Sequence, residues 1–308
     1  MATLPQPVIV AMADRAVRLY HALWHASRDT WERLTEAQRK VYRDHDWEPP
    51  RPSLTANSQV QFDNGSGEDF LFMHREMIRT VNEILTDLAD PQHPRVVGWP
   101  SIPGAEDAEF PVPPPFIVPG NDATTSSIQR AKSAETLARL REREAEVTDP
   151  AVLRGMPLGR LGAFIEFRIH NTLHMRWAAE RPKYRPGGSA FDVDTQWDVP
   201  SYDWLADTYS SHVNPIFWKL HGWVDARIDD WMRANDKTGP VPWTFDPPWT
   251  GPATPGHHHH HVVELARRAR PGNAEAVALE SHVRALEDTI GALKDNGIPE
   301  PVPFIQLD

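Results

Sequence analysis

The sequence predicts a mainly α protein: a four-helix bundle core tied together by long proline-rich loops, with one more helix near the C-terminus. Three observations lead there. Apolar residues recur at helical spacing over several long stretches. The chain's 30 prolines, about double the average share, cluster between those stretches. The alternating runs that make strands are scarce.

Residues 8–33 read as a first helix, with Val17, Tyr20, Leu23, Trp24 and Trp31 on its apolar side. A second begins at "TEAQ", where Thr35 can cap and Gln38 can reach back; it stops before Pro49 and Pro50. A glycine-containing loop, "FDNGSGED", leads into the strongest stripe of the chain: Phe70, Met73, Met77, Val81, Ile84 and Leu88. Residues 91–121 are too rich in proline for regular helix. Residues 125–147 predict a charged, solvated helix, and residues 158–180 an apolar one ended by "RPKYRPGG". From Ile216 to Ala234 a further helix carries Phe217, His221, Val224, Ile228 and Trp231 on one face. After another proline-rich stretch, residues 274–296 repeat apolar positions at Leu279, Val283, Leu286, Ile290 and Leu293. That last helix is expected to dock as a lid or to pair with a second copy in a homodimer. The expected division is a helical domain over 1–250, and a segment 251–308 holding the run His257–His261, the last helix and a tail. The run reads as a solvated polar loop first, and as a metal-loading loop or plug second.

The net charge of −11 argues against nucleic acid as the main partner, because phosphates call for a basic patch. With no cysteine, disulfides, thiolate metal sites and thiol nucleophiles are excluded. "MATLPQPVIVAMADR" lacks a basic start followed by an apolar run, and no apolar run approaches the ~20 residues that span a bilayer. The expectation is a cytoplasmic chain without a membrane partner.

Five histidines fall on apolar helix faces. His170 and His174, in "FRIHNTLHMRW", are four apart and share a face beside Ile169, Leu173 and Trp177. His74 and His221 fall inside the stripes of their helices, and His45 follows Val41 by one turn. One buried histidine is ordinarily structural. Five on four apolar faces are better explained by a shared metal, since each buried imidazole needs a partner and bundle cores commonly host such centres. Imidazole-only ligation suits copper, or zinc as the second choice; carboxylate-rich sites suit iron or manganese.

Three motifs carry a family resemblance. "HNTLH" (170–174), "NPIFWKLHGWVDARIDDW" (214–231) and "FLFMHRE" (70–76) resemble, in order and approximate separation, the copper-ligand blocks of tyrosinases, catechol oxidases and molluscan haemocyanins. The likeness covers roughly residues 35–234. It implies a di-copper centre in which His170, His174 and His221 hold one ion, with Leu220 where many members carry an adjacent histidine. Asp225 matches the aspartate that anchors the last ligand's helix. Glu166 and Asn171 match residues that orient a water able to take a proton from a phenol; for Glu166, an ion pair with Arg168 or Arg176 is the equal alternative. The other ion would be held by His74 and by His45 as first ligand. The family's middle ligand falls on Gly65, and no histidine occurs between His45 and His74. Asp63, Glu68 or Asp69 could substitute; His21 or His25 could reach in from the first helix; or that site stays vacant.

The resemblance implies a copper oxidoreductase that uses dioxygen to hydroxylate or oxidise a phenol, o-aminophenol or catechol in specialised metabolism, with Phe217, Trp218 and Trp223 either stacking on the substrate ring or packing the core. The alternative is a degenerate member with one metal or none, serving binding, assembly or a different mononuclear metal chemistry.

Overall fold

The computed structural model describes residues 3–180, 194–252 and 272–297. Among them the named elements are all helical, and the extended pairing is an isolated bridge between Leu54 and Val60. The mainly α expectation holds. The run His257–His261 lies outside the described residues.

The expected first helix divides into α1 (Gln6–Met12) and α2 (Arg15–Thr30). Asp14 is the reason: its carboxylate accepts from Ala16 N at 2.8 Å and caps α2, while the apolar spacing runs on across the break. Next comes α3 (Glu36–Asp44), which opens with the expected capping box: Gln38 N donates to the Thr35 hydroxyl, and Thr35 N to the Gln38 side chain. The long α4 (Ser66–Leu88) starts one turn earlier than its stripe, behind Gly65 at φ 84°. A side chain at Gly65 would be strained there, and its Cβ would sit 2.6 Å from the Phe245 ring.

The charged stretch is α5 (Asp122–Ala131) and α6 (Ala134–Thr148), separated by Ser133, which caps α6. It is less solvated than its composition suggests, because Leu137, Leu140 and Val147 are buried. After the short α7 (Pro150–Leu153), residues 158–177 form α8 (Leu158–Ile165), a π-helical turn (Glu166–His170) and α9 (Asn171–Trp177). Periodicity predicts one unbroken helix here and gives no sign of the π turn. The stripe helix α10 (Pro215–Ala234) is capped by Asn214, whose side chain accepts from Ile216 N at 2.9 Å. The last described helix is α11 (Ala274–Asp295).

α4 runs along α8 so closely that a Cβ added at Gly67 would lie 2.1 Å from the Gly159 carbonyl oxygen. α10 lies against α4 and is tied to it by Arg75, which donates to Asp225 at 2.6 Å and to Asp229 at 3.1 Å. Asp225 therefore anchors α10 as expected. The proline-rich segment crosses α10 backbone to backbone: Trp99 N donates to Lys219 O, and a Cβ on Gly98 would lie 2.2 Å from Gly222 C. From the other side α11 packs on α2 and α3, burying Leu286, Ile290 and Leu293, with Arg15 of α2 paired to Glu287 and Asp198. No helix among the described residues is long and apolar enough to cross a membrane.

The α4–α8 contact gives a paired test. Gly67→Ala must push the two helix backbones apart and is expected to destabilise the fold by about 1–3 kcal/mol. Gly291→Ala, on α11 with open space around its Cβ, should stabilise it by about 0.5–1 kcal/mol through helix propensity. Denaturant unfolding of both variants measures the two effects.

Candidate metal centre

Four helical segments deliver six buried histidines to one place. α2 carries His21 and His25 one turn apart, and α4 carries His74. The π turn ends on His170, one turn before His174 of α9, and α10 carries His221. All six are at most 4% exposed. The nitrogens of His21, His25 and His74 lie within 4.8 Å of one another, and so do those of His74, His170 and His221. His170 Nε2 stands 2.9 Å from both His174 Nε2 and His221 Nε2. The two groups meet where the His74 ring stacks on that of His221, centroids 4.4 Å apart.

The other ring nitrogen decides what these contacts are. His74 Nδ1 lies 2.8 Å from Phe70 O, His174 Nδ1 2.7 Å from Leu205 O, and His221 Nδ1 2.8 Å from Phe217 O. His21 Nδ1 lies 2.7 Å from Thr208 O, and His170 Nδ1 2.8 Å from Asn171 Oδ1. These oxygens can only accept, so in each ring Nδ1 carries the proton and Nε2 presents a lone pair. His25 has an acidic neighbour instead, with Asp29 Oδ2 3.6 Å from its Nδ1. Two Nε2 lone pairs at 2.9 Å cannot be a hydrogen bond; they repel unless a cation lies between them. His74 Nε2, fully buried, likewise has no hydrogen-bond partner among the described residues. Imidazoles tied through one nitrogen to an oxygen and aimed through the other at a common point could hold a metal ion there.

Burial keeps the rings neutral. Desolvation, reinforced by the neighbouring imidazoles, holds His74, His170 and His221 well below the usual imidazole value. Desolvation also takes His174 down to about 3, against the pull of its bond to Leu205. His25 is lowered by burial as well, with Asp29 opposing. Neutral imidazole is the form that ligates.

Several expected residues fall elsewhere. His45 closes α3 as its C-cap, half-buried, and belongs to neither histidine group. The reason is that α3 packs on α11, which carries none of the clustered histidines. The substitutes for a ligand at Gly65 are engaged too. Asp63 pairs with Arg160, Glu68 accepts from the Thr244 amide and hydroxyl, and Asp69 holds Arg51 and the Trp249 amide. Of the alternatives open in the sequence, the geometry favours His21 and His25.

Glu166 is ion-paired, though not with Arg168 or Arg176. Both its oxygens accept from Arg28, at 2.8 and 3.1 Å, with the two side chains fully buried. Burial pushes the Glu166 carboxyl up to about 7, opposed by Arg28. Asn171 spends its oxygen on His170. Of the three aromatics, only Phe217 stacks in the site, on His221 at 3.7 Å between centroids; Trp218 and Trp223 donate to His212 O and Glu144.

Sequence reasoning missed Arg28 and His212. His212 lies in the turn Ser211–Val213, fully buried, with its Nδ1 3.0 Å from that of His21. The "SSHVNP" segment offers no periodicity to mark it. Arg28 left a usable signal, as a charge on the His21–His25 helix one turn below His25.

The chain matches no protein-family model and no curated protein.

The Arg28–Glu166 pair predicts strong non-additivity. Arg28→Met strands a buried carboxylate and should cost about 3–5 kcal/mol in urea unfolding, whereas adding Glu166→Leu should recover most of that loss.

Proposed function

We propose that the chain is a tyrosinase-like type 3 copper oxidoreductase acting on a phenol, o-aminophenol or catechol. One observation carries the reading: six buried imidazoles in two adjoining groups that meet at His74, five of them with the proton placed on the outward nitrogen by its acceptor oxygen. His21, His25 and His74 form one ligand set, and His170, His174 and His221 the other. Nitrogen-only donor sets of this kind suit copper, with zinc second. The motif resemblance places His74, with His45, at one ion and His170, His174 and His221 at the other; this reading keeps that division and gives His45's place to the α2 histidines.

Bound copper would supply the binding and activation of dioxygen. The chain's own contribution is geometric and electrostatic. The carbonyls of Phe70, Leu205, Phe217 and Thr208 hold the ligands in one tautomer. Phe217 packs against His221 and, with the other apolar walls, excludes water from it. Asn171 orients His170. Glu166, raised toward neutrality by burial, is the carboxylate suited to take a phenol proton near the site.

Copper loading followed by metal analysis tests the reading. Two ions per chain are expected, magnetically coupled and therefore silent in electron paramagnetic resonance, with oxygen uptake when a catechol is added. One ion with an ordinary Cu(II) signal would replace this reading with a mononuclear centre, and no bound metal would end it.

The assignment of ligands is tested separately. His45→Ala should keep two coppers per chain, while His25→Ala should lose one. Glu166→Gln, if the carboxylate takes the phenolic proton, should lower turnover of monophenols by about 10²-fold or more while sparing catechols and metal content.

A further inference from the structure

We infer that His212 is a positioning residue for the His21–His25–His74 site, accepting through its Nδ1 a share of the His21 Nδ1 proton. The inference rests on the metal reading above. It concerns a seventh imidazole that neither ligand triad contains.

The argument starts from who holds the proton. His21 Nδ1 lies 2.7 Å from Thr208 O, an atom that only accepts, so that nitrogen is protonated. The same nitrogen lies 3.0 Å from His212 Nδ1. Two N–H groups facing each other at that distance would repel. His212 Nδ1 therefore presents its lone pair, and its proton sits on Nε2. This is the reverse of the tautomer deduced for the ligands, so His212 is set apart from them chemically.

The placement gives this bond a purpose. Thr208 and His212 belong to one short segment, which leads through Asn214 into α10, the helix of His221. That segment puts two acceptors on one N–H, with the His212 ring edge-on to that of His21, centroids 4.8 Å apart and planes at 89°. A single acceptor leaves a ring free to pivot about its bond. A second one fixes its plane, and with it the aim of His21 Nε2 toward His25 and His74. Outer partners of this kind commonly change metal affinity by about 10- to 100-fold when removed. His212 itself is locked: it is fully buried, and its carbonyl accepts from Trp218 Nε1 at 3.0 Å.

Two variants and one metal-free measurement test this. Nitrogen-15 NMR of the imidazoles in the metal-free wild type should find His21 protonated on Nδ1 and His212 on Nε2. A proton on His212 Nδ1 would overturn the inference, whether or not metal binds. In copper titrations His212→Leu, which removes the acceptor, should weaken one of the two sites by about 10- to 100-fold and leave the other unchanged. His212→Asn, whose amide oxygen can take the place of Nδ1, should bind both ions nearly as the wild type does. Wild-type affinity in His212→Leu, or equal losses in the two variants, would refute the role. If His212→Leu does not fold, His212→Asn and the NMR experiment still decide. A wild type that binds no copper would overturn the metal reading and this inference with it, a failure visible before any variant is compared.

Discussion

The fold is organised around one convergence of buried imidazoles. Nε2 of His170 comes within 2.9 Å of those of His174 and His221 in a fully buried site. Each ring loses its hydration on burial, so its nitrogens must be satisfied from within the protein or by what the site binds. The arrangement persists because each ring is fastened at its back and because the helices that carry it are closely packed. A cation among the lone pairs would turn the same geometry from a burden into a source of stability, since a metal that binds only the folded chain adds its binding free energy to folding.

The fastening is layered. Next to the rings come acceptor oxygens, most of them main-chain carbonyls. Behind these, charged side chains join one histidine-bearing helix to another. Arg28 of α2 grips Glu166 at the start of the π turn and also donates to Ser66 O at the head of α4, so three histidine-bearing segments meet at one guanidinium. Arg75, the neighbour of His74, reaches α10 through Asp225 and Asp229. Glycines at the α4–α8 and loop–α10 crossings bring backbones together with no side chain between them. Displacing any one of these helices would therefore misdirect imidazoles on several.

Much of this was legible in the sequence. The α3 capping box, the stripes of α4 and α10 and the last helix all follow from spacing and capping chemistry. His74, His170, His174 and His221 were marked by lying on apolar faces. What stayed hidden involves contacts between elements or local departures from periodicity. Asp14 breaks a helix whose apolar rhythm continues past it. The π turn before His170 alters the helix without altering the pattern of residue types. His45 looked right because it ends a well-formed helix, but a helical stripe does not say which neighbour it faces, and α3 faces α11. His21 and His25 repeat the four-residue spacing of His170 and His174, and the sequence holds them open as an alternative without choosing between them and the carboxylates near Gly65. Glu166 announced an ion pair but not its partner, because Arg28 is 138 positions away in the chain.

Four of the rings are aimed by carbonyls of Phe70, Leu205, Phe217 and Thr208. A carbonyl belongs to the path of the chain, whatever side chain its residue bears. The instruction for where the imidazoles point is thus written in backbone geometry and is largely silent in residue identity. Anyone grafting this centre onto another scaffold would gain little by copying histidines alone; the curvature of the helices and the course of segment 205–212 would have to travel with them.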